Sequence, residues 1–231
     1  MTPYPENAPT AGRVPGGRGA AIHIRKAVAP VKTDGLLDEP AWKTAQVAVG
    51  FQKQFPVDTG RSRIPTEVRL TFDERHLHVG VLCRQPRSEY IVGSLKRDFA
   101  AGTGDAFSVL FDPFKDGLNG FLFSLSPLNV QGEALIDNGA NTAYDWDNKW
   151  HSAVRNYDDY WTAEIAIPFK TLRYKSLPGE NTWRVNFVLT VLNNWETSTW
   201  MPIPQQFQPS SLAFAGDLVW DEPPPQPGAS I

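Results

Sequence analysis

The sequence predicts an all-β protein, an antiparallel β-sandwich of jelly-roll type with one or two short helices. Two observations carry this. Apolar residues alternate with polar ones on a two-residue period over six separate segments, and helix signals are confined to short stretches. The length of 231 residues suits one large sandwich. A chain of that size buries roughly 70–75% of its extended surface.

Taken in order, residues 1–20 are rich in Pro, Gly and Arg and read as a flexible leader. Residues 21–221 form the sandwich domain, and 222–231 (Glu-Pro-Pro-Pro-Gln-Pro-Gly-Ala-Ser-Ile) a Pro-rich tail or linker. Asp38–Ala45 is the best helix, with Asp38 as cap, Pro40 in the first turn and Ala41 and Ala45 one turn apart. Val68, Leu70 and Phe72 alternate in the first clear strand. After the turn signal Asp73-Glu74-Arg75, Leu77, Val79, Val81 and Cys83 continue the pattern. Phe107, Val109 and Phe111 follow, then Phe121, Phe123 and Leu125 beyond a turn at 116–120. Trp161, Ala163, Ile165 and Ile167 make the fifth segment, with a single helical turn expected at Pro168–Leu172. Trp183, Val185, Phe187, Leu189 and Val191 make the sixth. No repeat recurs at 20–50 residues.

Apolar residues make up 41% of the chain and charged residues 20%, with a net charge of −3. The densest basic run is Arg61-Ser62-Arg63, which argues against nucleic acid or an anionic membrane surface as partner. No apolar window reaches the roughly 18 residues of a membrane-spanning helix. The N-terminus lacks a signal-peptide core, which leaves a cytoplasmic protein or a mature region whose signal has been removed. The one cysteine, Cys83, is in phase with the core positions of its strand, so it reads as a buried thiol and excludes an internal disulfide.

Several stretches, in this order, resemble the family 9 carbohydrate-binding modules. They are Val31-Lys32-Thr33-Asp34-Gly35-Leu36-Leu37-Asp38-Glu39-Pro40-Ala41-Trp42, the pair Thr66–Leu70 and Asp73–Val79, Gly104–Asp112, Trp161–Leu172 and Trp183–Phe187. The resemblance extends over roughly residues 22–220. Arg97-Asp98, Asp112-Pro113-Phe114, Trp146-Asp147…Trp150 and Leu172-Arg173-Tyr174 are similar to a subgroup found ahead of a predicted outer-membrane β-barrel. The resemblance implies a sandwich without catalytic activity, placed in the periplasm or outer membrane, with a C-terminal membrane β-barrel as partner. Trp42, Trp161 and Trp183 are expected to be core residues.

Sugar recognition needs an aromatic platform for the ring and planar polar groups for its hydroxyls. The loop-borne candidates are Trp195 and Trp200, with Trp146 and Trp150 beside them, and Arg97, Glu196 and Gln54 as polar partners. In the family two tryptophans clamp a terminal sugar. Trp200 stands where the later one is expected, but the earlier position is Gly102, and the expected arginine falls near Phe121–Phe123. Half of that clamp is missing.

Asp137, Asn138, Asn141, Asp145 and Asp147 are the densest hard-oxygen cluster, a candidate for structural calcium; no other cofactor is required. His76 and His78 share one strand face without an evident third ligand. A haem-binding relative would want an axial Met or His, and Met201 is the one internal Met. Glu133, Glu164 and Glu196 show no pairing for glycoside hydrolysis, and no nucleophile elbow, phosphate loop or zinc-protease helix occurs. Two functions stand. One is a non-catalytic module presenting loop tryptophans to a glycan. The other is a periplasmic interaction domain that docks on a barrel or envelope partner and binds no sugar.

Overall fold

The computed structural model describes residues 12–99, 102–174 and 182–225. Fifteen strands occur among them: β1 Arg13–Pro15, β2 Ala21–Lys26, β3 Val47–Val49, β4 Gln52–Phe55, β5 Thr66–Phe72, β6 His76–Cys83, β7 Ala106–Asp112, β8 Gly120–Leu125, β9 Gln131–Asp137, β10 Asn141–Ala143, β11 His151–Asn156, β12 Trp161–Pro168, β13 Thr182–Val191, β14 Glu196–Thr199 and β15 Gly216–Trp220. The one α-helix among the described residues, α1, spans Pro40–Thr44, and the turn expected at Pro168–Leu172 is a 3-10 helix over Phe169–Thr171. No helix among the described residues is long and apolar enough to cross a membrane.

The strands form two facing sheets. The first has β5, β6, β12 and β11 antiparallel in sequence, with β3 and then β1 alongside β5. The second runs β10, β9, β8, β7, β13, and the far edge of β13 is shared by β15 and β14, with β4 outside β14. Strand β2 belongs to both sheets. Its Ala21–Ile24 pair in parallel with β15, and its Arg25 and Lys26 pair in parallel with β5.

All six alternating segments are strands, and their alternating apolar residues fill the space between the sheets. Val68, Leu70, Leu77, Val79, Ile165 and Ile167 from one sheet meet Phe107, Val109, Phe121, Phe123, Val185 and Phe187 from the other. Burying each such side chain stabilises by about 1.5–3 kcal/mol. Trp161 and Trp183 are in this core, and Trp183 meets Trp220 edge-on at 4.9 Å. Cys83 is fully buried there.

Three expectations need correction. Arg13–Pro15, inside the stretch read as leader, form β1 because Val14 and its neighbours pair with β3. The remaining leader, 1–11, and tail residues 226–231 lie outside the described residues. At the other end, Pro225 accepts a hydrogen bond from the Tyr174 hydroxyl, so the start of the tail packs on the domain. The helix begins at Pro40 with Glu39, not Asp38, at its N-cap, and no side chain caps it. Its stability comes from packing. Trp42 lies flat on the outer face of the first sheet with Leu37 and Leu82. Gly80 makes room there, since a Cβ on it would meet Leu37 at 2.9 Å and Trp42 at 3.2 Å.

Candidate ligand-binding site

The outer face of the second sheet is built from the positions that alternate with the core. On β7, β8 and β13 the residues next to Phe107, Phe123 and Leu189 are Ser108, Ser124 and Thr190. Register places Ser108 opposite Ser124, and their hydroxyls meet at 2.7 Å. It also places Thr190 opposite both Ala106 on β7 and Thr197 on β14. Small hydroxyl side chains therefore floor a depression of about 290 Å³. Its volume is at the lower end of small-molecule sites, roughly 300–1,000 Å³.

Aromatic rings and one loop wall the trough. Phe99 packs on Ala106 and Val130, and Tyr144 joins a second apolar cluster of Leu110, Leu122, Ala134, Ile136, Val188 and Leu212. Gln208, Pro209 and Ser210 form the opposite rim. That rim is tied down: Ser210 Oγ donates to the Ala140 carbonyl at 2.7 Å, the Leu212 amide to Gly139 at 2.9 Å, and Gln54 Nε2 to the Phe207 carbonyl at 2.9 Å. No acidic, basic or histidine side chain lines the trough among the described residues.

The tryptophans expected in a groove are not assembled into one. Trp200 is fully buried. Its indole lies 5.4 Å from Phe187 and donates to the Val14 carbonyl of β1 at 3.1 Å. A Cβ on Gly16 would meet the Trp200 carbonyl oxygen at 1.8 Å, so the chain leaving β1 runs directly over it. Trp150 is buried edge-on against Phe123. Trp146 is half-buried against Phe121 and Phe123, and it lines a second, wider cleft with Phe114, Asp116 and Arg173. Trp195 alone is open, 70% exposed at a left-handed turn position beyond β13. Gly102, where the family resemblance places a clamp tryptophan, lies at the rim of the trough.

The polar candidates turn out to hold loops. Glu133 is fully buried and accepts Arg97 Nη2, the Asn148 amide at 2.9 Å and Trp150 Nε1 at 3.1 Å. Arg97 also reaches Gln131 Oε1 at 2.6 Å. Glu196 accepts Ser62 Oγ at 2.8 Å and the Arg63 amide at 3.0 Å, with Lys53 Nζ 3.8 Å away. Glu164 accepts the amides of Asp34 and Gly35, each at 2.8 Å, and Trp42 Nε1 at 2.7 Å. Burial pushes its carboxyl up to about 7 in spite of these donors, with Glu39 adding to the rise. A raised carboxyl is what an acid catalyst needs, but this one lies beneath the loop before α1, away from the trough.

The candidate calcium ligands lie on and just beyond one hairpin. Asp137 and Asn141 are cross-strand partners closing the β9–β10 hairpin, and Asp145 and Asp147 are exposed beyond it. Among the described residues Asp73, His76 and His78 are the one group of three metal-type side chains within mutual reach. Met201 is buried in the core.

No protein-family model matches the chain, and no curated protein matches it. Solved structures do. A family 9 carbohydrate-binding module from Caldicellulosiruptor kristjanssonii in complex with cellotriose is 13% identical with a TM-score of 0.60, over 91% of this chain and 97% of that one. The fold is that of the family 9 carbohydrate-binding modules. A module from the same organism in complex with glucose is 11% identical with a TM-score of 0.58, over 90% of this chain and 98% of that one. A presumptive carbohydrate-binding protein from Bacteroides uniformis is 13% identical with a TM-score of 0.63, over 87% and 99%.

The apolar half of the alternation does not disclose the trough. The signal lay in the other half: hydroxyl residues at successive outward positions of neighbouring strands. Facing water such residues need no explanation; under a loop rim they make a floor.

Proposed function

We propose that this chain is a non-catalytic module that binds a neutral sugar in the trough on the outer face of its second sheet. One observation carries the reading. The trough joins a floor of hydroxyls (Ser108, Ser124, Thr190, Thr197) to the rings of Phe99 and Tyr144, with no charged group among its lining residues. Such a surface suits an uncharged, hydroxyl-rich ring: the floor exchanges hydrogen bonds, and an aromatic wall takes the apolar C–H face. The fold shared with modules bound to cellotriose and glucose supports the ligand class. The motifs shared with the subgroup ahead of an outer-membrane barrel support a place in the bacterial envelope, with that barrel as neighbour.

Calorimetric titration of the full chain with glucose, cellotriose and a panel of other neutral mono- and oligosaccharides tests this. One member should bind in the micromolar to millimolar range, as one or two stacked rings give only a few kcal/mol. Thr190→Tyr, which fills the trough from its floor, should abolish binding while leaving thermal stability intact. Silence across the panel sinks the proposal.

A second reading, an interaction domain without a sugar ligand, is favoured by Trp195. This indole is mostly exposed, no second tryptophan opposes it across a slot, and it is not among the residues that line the trough. On that reading Trp195→Ala weakens association with the barrel while sugar titrations stay flat.

A further inference from the structure

The outer face of the first sheet carries a cluster unrelated to the trough. The turn between β5 and β6 is set by Asp73. Its amide donates to the His76 carbonyl at 3.0 Å, and its Oδ1 accepts the amides of Arg75 and His76, both at 2.7 Å. The carboxylate is thereby fixed in place. Its second oxygen points at His78 Nε2, 2.9 Å away. His76 and His78 lie two residues apart on β6, so both project from one face, and their rings sit 5.6 Å apart.

A third imidazole arrives from an edge strand. Register aligns His78 with Ala166 on β12, and Ala166 with His151 on β11. Only a methyl group separates the two histidines along that row, and the His151 ring comes within 6.5 Å of the His76 ring. Three imidazoles and one carboxylate thus gather over a single alanine.

We propose that Asp73, His76 and His78 bind a divalent transition-metal ion of the zinc class, with His151 closing the fourth position. Nitrogen donors with one carboxylate suit zinc, cobalt, nickel and copper, whereas calcium and magnesium want oxygen alone. The geometry needs little change. Ligand atoms of the three residues already lie within 4.8 Å of one another. Tetrahedral zinc, with bonds of about 2.0–2.2 Å, holds its ligands roughly 3.3–3.6 Å apart. The His78–Asp73 contact opens by a few tenths of an ångström, and the His76 and His151 side chains, half-buried and exposed, swing inward. Asp73 is oriented by two backbone amides, the kind of outer support that ligand carboxylates use. The ion would tie the β5–β6 turn to edge strand β11.

The test uses tagless, metal-free full chain, titrated with zinc in competition with a chromophoric chelator and, separately, with cobalt. One zinc per chain, a rise in melting temperature, and the visible absorption of tetrahedral cobalt are expected. His76→Ala and His78→Ala should each weaken zinc at least tenfold, and His23→Ala, which lies outside the ligand group, should leave it unchanged. His76 is partly exposed, so its variant keeps the test sound should the buried His78 prove necessary for folding. Substoichiometric zinc, or equal affinity in wild type and His76→Ala, overturns the proposal. Because the trough lies on the opposite sheet, sugar titrations succeed or fail independently of this result.

Discussion

The indole nitrogen of Trp42 donates to Glu164 Oε1 at 2.7 Å, while the other oxygen of that carboxylate accepts the amides of Asp34 and Gly35. A buried glutamate on β12 thus holds the loop that leads into the one helix. The pattern recurs on the other sheet, where Glu133 accepts Trp150 Nε1, the Asn148 amide and Arg97.

All three groups facing Glu164 are donors. Glu164→Gln turns one acceptor into a donor among them, and the loss is about 1–3 kcal/mol, the cost of leaving buried polar groups unmatched. Urea unfolding followed by far-ultraviolet circular dichroism measures it.

The same carboxyl gives a signed pH dependence. Its folded value of about 7 is above the ordinary 4.5, so its contribution to stability is complete below pH 4.5 and is lost as pH rises through 7. Asp73 runs the other way. Half-burial opposes its ionisation, but bonds from His76, His78 and the backbone hold it far below 3.8, so its contribution is present at neutral pH and lost in strong acid. Metal-free protein should lose stability between pH 5 and pH 8. That decline should flatten in Glu164→Gln, read from melting temperatures across the range.

Burial pushes the Cys83 thiol up to about 12, and Thr66 Oγ1 is its polar neighbour at 3.8 Å. The thiolate is the reactive form. Native protein at pH 8 should therefore resist a thiol reagent for hours and react at once in denaturant. Rapid labelling of the folded chain would contradict the assigned burial.

Two neighbouring tryptophans should respond oppositely. Trp200→Ala empties a fully buried site and costs about 3–5 kcal/mol, whereas Trp195→Ala, on the surface, stays within about 0.5 kcal/mol. Paired chemical denaturation curves decide this.

The core was legible because Phe107, Val109 and Phe111, and their counterparts on five other strands, have no second explanation for their spacing. Strands such as β9 are not legible in the sequence because Leu212 and its loop cover their outer face. Glu133 and Ala134 are then both buried, and the alternation is lost. The site tryptophans misled for a related reason. Trp200 looks spare until Val14, 186 residues earlier, is laid across it. Trp150 looks spare until Glu133 takes its nitrogen. Local pattern reports which way a side chain points. It does not report what a distant segment places on top.

Strand β2 has a mechanical consequence. Ala21 aligns with Asp217 and Ile24 with Trp220, in parallel, so the chain enters this pair at one end and leaves at the other. Tension drawn through Ala21 and Trp220 slides the two strands past each other, and their ladder bonds share the load instead of parting one by one. A domain held between neighbours by these two strands would yield late when stretched.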